Sequence, residues 1–335
     1  MIKLGLMSIE NCSDSSDALF SLIEEVRLDY QEPEKPTRRG RRADFSELSF
    51  LLLAVVAVVT RTYSDSELHR LLQKDPQLLA VLGFPRVPHR TWILRRLKSL
   101  LACAENQVAL FGKQILAEVE IPAEASEISA TDGRMYQAIG PKWHKRDRLK
   151  QEIPVGLRRV DTESSWSRSG YRGWVQGYRL VLQTLVFPCP VPLFAVWREN
   201  SVSEAALLLA ELAAGRFQIT EVNLGDTRIG DLELPQKYRE KGGYLLTPSA
   251  FNKKRRTWKN ELYEYRRETI ELLFQRIIQA FDLKTCQVKG KAKNGVFVIA
   301  SVWVYQILFL NNYRNKKPLA DVKEQIENAR FRLKL

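Results

Sequence analysis

The chain predicts a mixed α/β domain preceded by an all-α segment, and three observations carry that expectation. Up to about residue 118 the apolar residues recur at helical spacing. After the break at 122–126 short apolar runs of strand character alternate with helical ones. Two of those later runs, Ile128-Ser-Ala-Thr-Asp-Gly133 and Ile219-Thr-Glu-Val-Asn-Leu-Gly-Asp226, close on an aspartate beside a glycine.

Taken in order, Leu19 to Val26 reads as a short helix, and 32–42 is a Pro- and Arg-rich linker containing Arg38 and Arg39. Helices fill the stretch from Asp44 to Glu118, broken at Ser64, at Asp75-Pro76 and at 83–88. Asp44 and Glu47 form a capping-box pattern. Phe50 to Val59 is the longest apolar run and falls short of the roughly 20 residues of a membrane span, so it reads as a buried helix and no membrane partner is expected. Residues 66–73, a turn and 91–98 have the layout of a helix-turn-helix unit with Arg95, Arg96 and Lys98 exposed. A packing or dimerisation module fits the same pattern.

Beyond 126 the strands are 127–131, 177–187, 193–197, 219–224 and 243–247. An Ala/Leu-rich helix at 204–214 precedes the fourth, and helices at 263–281 and 295–310 follow the last. Asp132 and Asp226 then fall at the ends of strands able to be neighbours. The expected units are 1–43, a helix and basic linker; 44–122, all-α, for DNA binding or dimerisation; 123–312, the catalytic α/β unit; and 313–335, a basic tail.

The 335 residues include 52 Lys and Arg against 39 Asp and Glu, a net +13 that favours a polyanionic partner, nucleic acid first. The four cysteines are far apart and have no zinc-type spacing, and the N-terminus has no secretion signal, so a reducing, cytoplasmic setting is expected.

In this basic setting the carboxylates matter most. Cleaving and joining phosphodiesters needs a nucleophile, charge relief on the phosphate and a stabilised leaving oxygen, which two divalent ions supply together. Three carboxylates with no His or Cys ligand select a hard cation, Mg²⁺ with Mn²⁺ as a substitute. Without a cation, each pair about 4 Å apart repels by about 4 kcal/mol. Asp132 and Asp226 are the first two members. For the third, Ile270, Phe274, Ile277 and Phe281 mark the buried stripe of the 263–281 helix; Glu271 falls at its edge and Glu268 points to solvent. An aspartate beside a glycine is by itself most often a turn residue. It is the two together, each closing an apolar run, that indicate a site. Asp161 and Asp231 read as loop or capping residues.

Several blocks beyond these acids resemble one family. They are Ala138-Ile-Gly-Pro-Lys-Trp-His144, Val160-Asp-Thr-Glu-Ser-Ser-Trp166, Gly173-Trp-Val-Gln-Gly-Tyr178, Leu224-Gly-Asp226, Ile270-Glu-Leu-Leu-Phe-Gln275, Val288-Lys-Gly290, then Tyr305, Gln306 and Asn311. Over roughly 127–312 the chain resembles the DDE transposases of bacterial insertion sequences, in the group named after insertion sequence four.

The resemblance implies an RNase H-like catalytic fold, with Asp132, Asp226 and Glu271 as catalytic residues holding two metal ions. It implies double-stranded DNA as partner, both terminal inverted repeats and target, bound by a homodimer. The family pattern around the glutamate fits at Arg267 and Glu271. It departs at Glu264, where a Tyr is expected, at Ile278, where a Lys is expected, and at Gly133, where Ser or Thr is more usual.

His144, Lys145 and Arg146 after the first acid, and Lys253, Lys254, Arg255 and Arg256 with Trp258 before the last, are candidate DNA contacts beside Arg38, Arg39, Arg95, Arg96 and Arg267. A solvated loop is the bland reading of the basic runs. Trp143, Trp166 and Trp174 are expected in the core. The rivals to a transposase are a nuclease of the same fold, which leaves nicks without joined strands, and an inactive or domesticated descendant that binds DNA without cutting it.

Overall fold

In a computed structural model the described residues are 14–30, 45–122, 126–153, 155–157, 159–170, 172–230, 233–248 and 258–331. The first half contributes helices α1 (Asp14–Asp29), α2 (Glu47–Thr60), α3 (Asp65–Lys74), α4 (Pro76–Val81), α5 (Arg90–Ser99) and α6 (Leu101–Glu118). Strand β1 (Ile128–Gln137) follows, then the short helix α7 (Lys145–Leu149), strands β2 (Ser165–Ser169), β3 (Gly173–Leu185) and β4 (Val191–Glu199), and helix α8 (Glu204–Ala213). The chain continues through β5 (Val222–Leu224), α9 (Glu233–Glu240), β6 (Tyr244–Leu246), α10 (Trp258–Phe281), α11 (Lys291–Arg314) and α12 (Val322–Phe331).

The sheet has a mixed five-strand core in the order β4-β3-β1-β5-β6, with β2 pairing to the first part of β3. β1 runs antiparallel to β3 and parallel to β5, and β5 runs parallel to β6. Three antiparallel strands followed by two parallel ones reached through helical crossovers make this an RNase H-like fold. Residues 175–185 of β3 are buried without a break, because this central strand is covered on both faces. α10 packs on β1, β3 and β5, while α8 and α9 close the opposite face around Val181, Phe194, Val196 and Tyr238.

The helices of the first half share this core. α2 and α11 are apolar on every side and lie buried against one another, as such helices must. By length and composition α11 could cross a bilayer, yet 94% of its most apolar stretch is buried within the protein. α6 wedges between α11 and β4. Gly112 permits that approach, since a Cβ there would stand 1.8 Å from the Leu193 carbonyl oxygen.

Several sequence expectations are corrected here. The α2 cap is Ser46, whose hydroxyl accepts from the Ser49 amide at 3.0 Å; Asp44 lies outside the described residues. β2 was not anticipated, because Ser-Trp-Ser-Arg-Ser lacks an apolar run; its partner β3 supplies the order. The segment beyond 313 is not only a tail, since its helix α12 packs on α1, α10 and α2 through Val322, Ile326 and Ala329. Trp143 is buried and Trp166 half-buried, both with their indole N–H donated to backbone carbonyls, but Trp174 is 62% exposed at the start of β3, beyond the reach of the covering helices. Arg96 is half-buried rather than exposed, its guanidinium lying 5.5 Å from the Trp92 ring centroid.

Candidate active site

Register builds the centre of the site. β1 and β5 pair in parallel with Ile128 opposite Val222 and Ala130 opposite Leu224. Side chains on a strand alternate, so two residues further along each chain Asp132 and Asp226 leave the sheet next to one another, on the face that α10 covers. Asp132 is thus not at a strand end as the sequence suggested. It is the fifth of ten residues in β1, because pairing with β3 continues to Gln137 while β5 stops at Leu224.

A buried polar ladder on the reverse face holds this register. The Thr131 hydroxyl donates to Asn223 Oδ1 at 2.9 Å, and the Ser129 and Thr220 hydroxyls are 2.7 Å apart. A one-residue slip would break both bonds and turn the acid of the shifted strand to the wrong face.

Each carboxylate is held differently. Asp132 Oδ1 accepts from the Gly133 amide at 2.8 Å, and Oδ2 lies 3.3 Å from the Arg266 guanidinium of α10. Burial pushes the Asp132 carboxyl above its ordinary range; Arg266 and the Gly133 amide oppose the shift, and the charges of Asp226 and Glu271 add to it. Asp226 follows β5 in a turn where Oδ1 accepts from the Thr227 amide at 2.5 Å and its hydroxyl at 3.1 Å.

Glu271 sits on α10 beside the buried stripe of Ile270, Phe274, Ile277 and Phe281, as the helical spacing predicts. Its side chain is 51% exposed, with Oε1 3.5 Å from Arg267 Nε. All three acids line one cavity of about 870 Å³.

The donor set, oxygens only, suits hard divalent cations. Among the described residues no three His, Cys, Asp or Glu side chains are already arranged to hold one. Asp132 faces Arg266 and Glu271 faces Arg267, so charge repulsion among the acids is met by two arginines from the same helix turn. The exposed Glu271 can rotate away from Arg267 at small cost, since such pairs contribute about 0.3–0.5 kcal/mol.

A fourth carboxylate lies behind the first, and sequence reading missed it. Glu204 opens α8 after the cap Ser203 and is 3% exposed. Its Oε1 lies 2.6 Å from the equally buried Arg179 guanidinium of β3 and 4.0 Å from Arg228. A Cβ at residue 133 would come within 2.8 Å of Oε2, so this carboxylate occupies the space a side chain there would need. That explains the glycine after the first acid; the glycine itself was the available signal. Burial raises the Glu204 carboxyl, Arg179 lowers it, and Asp132 raises it again, so the two acids interact through the sheet.

Arg267 lines the cavity. His144 and Arg146 are exposed around α7, and Arg95 is exposed on α5, no residue of which lines the cavity. Arg38, Arg39, Lys253, Lys254, Arg255, Arg256 and Asp231 lie outside the described residues, as do the side chains of Lys145, Trp258 and Glu264. Asp161 is a buried structural acid, accepting from the Tyr178 hydroxyl at 2.8 Å and the Gly290 amide at 3.0 Å. Ile278 is buried in the α10 stripe, where a lysine would have no water.

No protein-family model matches the chain, and no curated protein sequence matches it. Among solved structures, a piggyBac transposase synaptic complex with hairpin DNA aligns with 96% of this chain and 80% of its own, at 12% identity and a TM-score of 0.43. The Mos1 strand transfer complex aligns with 89% and 79%, at 11% identity and a TM-score of 0.30. The fold assignment rests on the strand order and pairing described above.

Proposed function

We propose that the chain is a DNA transposase, which binds the terminal inverted repeats of a bacterial insertion sequence and catalyses Mg²⁺-dependent strand cleavage and strand transfer. The observation that carries this reading is the β1–β5 register, which brings Asp132 beside Asp226 at the cavity that Glu271 also lines. The basic balance of the chain agrees with a nucleic-acid substrate.

Asp132, Asp226 and Glu271 are the residues that would hold divalent ions. Those ions, when bound, supply charge relief on the phosphate and a nucleophile from water or a 3′-hydroxyl. The chain's own part is positioning. The sheet fixes two carboxylates through backbone register, α10 brings the third, and Arg266 and Arg267 offset the charges of Asp132 and Glu271. The paired ends of an element call for a homodimer on DNA.

The test uses the full chain with duplexes bearing the inverted repeats that flank its gene, in Mg²⁺ or Mn²⁺. Cleaved and joined strands are expected from the wild type. Neither is expected from Asp132→Asn, Asp226→Asn or Glu271→Gln. Variants that cut as fast as the wild type would overturn the assignment, nicks without joined strands would indicate a nuclease, and binding without breakage would indicate a silent descendant.

A further inference from the structure

Five arginines line the cavity, and three of them face carboxylates: Arg266 with Asp132, Arg267 with Glu271, and Arg228 with Glu204. Arg134 and Arg172 differ, since neither makes an ion pair among the described residues. Arg134 stands two residues beyond Asp132 on the same face of β1, a step of about 7 Å. Its stem is packed so that the guanidinium lies 6.0 Å from the ring centroids of both Tyr136 and Phe274, and its Nε is buried with no hydrogen-bond partner.

Arg172 comes from the turn between β2 and β3, where its amide donates to Ser169 Oγ at 3.3 Å. That hairpin is tied to the acid loop, because the Arg228 guanidinium donates to the Arg168 carbonyl at 3.0 Å.

Two cations lining one cavity, one of them half-buried and neither paired with a carboxylate among the described residues, attract an anion. The guanidinium fork matches the oxygens of a phosphate. We propose that Arg134 and Arg172 form a phosphate clamp that grips a backbone phosphate of the DNA strand entering the cavity, next to the phosphate presented to Asp132 and Asp226. This rests on the nucleic-acid reading above and adds to it two strand-holding residues that the sequence did not single out. Neither is a metal ligand; both are positioning residues for the substrate strand.

Binding of a labelled DNA duplex by the full chain, measured by fluorescence anisotropy in EDTA over a range of salt concentrations, separates this from catalysis. Arg134→Met keeps the packed stem and removes the charge. It is expected to weaken binding about tenfold and to flatten the slope of log K against log salt by about 0.9, the share of one phosphate. Arg134→Lys should restore the slope but not the full affinity, Arg172→Gln should reproduce the loss, and Arg239→Ala on α9 should change neither. Thermal melts confirm that each variant folds.

If Arg134→Met and Arg172→Gln bind with wild-type affinity and slope, the clamp is wrong while the nucleic-acid reading stands. If the wild type binds no DNA even at low salt, that reading fails and the clamp with it. If millimolar inorganic phosphate stabilises the wild type but not Arg134→Met, and DNA binding is equal in both, the site takes a small free anion and the proposal is overturned.

Discussion

The two sides of the acidic cavity are built on opposite principles. On the sheet side, Asp132 and Asp226 are placed by backbone pairing, backed by the Thr131–Asn223 bond and by the buried Glu204–Arg179 pair. On the helix side, Glu271 is exposed and its ion-pair partner Arg267 is also exposed. One side is fixed before any ligand arrives, and the other can re-aim at small cost. The proposed function, which calls for admitting a bulky strand and holding cations, gains from having both, since preorganisation resides in the sheet and adjustment in the helix.

Four measurements break or sharpen this contrast. The largest effect is expected from Asp132→Asn and Asp226→Asn, each lowering metal-dependent cleavage by about 10²–10³-fold in a gel assay of nicked DNA. A loss confined to Glu271→Gln would reverse the proposed division. Next, Gly133→Ala should destabilise the fold by about 1–3 kcal/mol in denaturant unfolding, because the new Cβ meets a carboxylate that Arg179 holds in place. In a Glu204→Ala background, which itself leaves Arg179 unpaired, the cost of Gly133→Ala should shrink, so the two changes will not be additive.

A smaller effect concerns pH. The folded-state pKa of Glu204 is raised, so ionising it costs stability. The wild type should therefore lose stability relative to Glu204→Gln as pH rises from the ordinary carboxylate value through the raised one, and the difference should level off above it. Denaturant midpoints across that range check the sign. The least effect is expected from Arg267→Ala, below about 0.5 kcal/mol in stability; a larger change would mean that the helix side is as rigid as the sheet.

The same contrast decides what could be read from the sequence. Glu271 was legible because helical periodicity is local, and Ile270, Phe274, Ile277 and Phe281 define the face whatever they pack against. The apolar run of α2 was legible for a similar reason. Asp132 and Asp226 were recognisable as candidates, but their adjacency depends on a parallel pairing across 94 residues that no local pattern encodes. β2 and the exposure of Trp174 were missed because a polar hairpin takes its order from its neighbour. Glu204 was hidden because its first-turn position on α8 already has a sufficient local explanation as a helix-start acid, and only the sheet reveals that it lies beneath Gly133.

The β1–β5 pairing also sets when the acids can meet during synthesis. A growing chain holds Asp132 early, but the strand that brings Asp226 alongside it lies far downstream, and α10 with Glu271 is later still. Contacts this distant in sequence form late. A ribosome-bound fragment therefore lacks the assembled acidic centre, and whatever chemistry that centre performs is withheld until α10 has emerged.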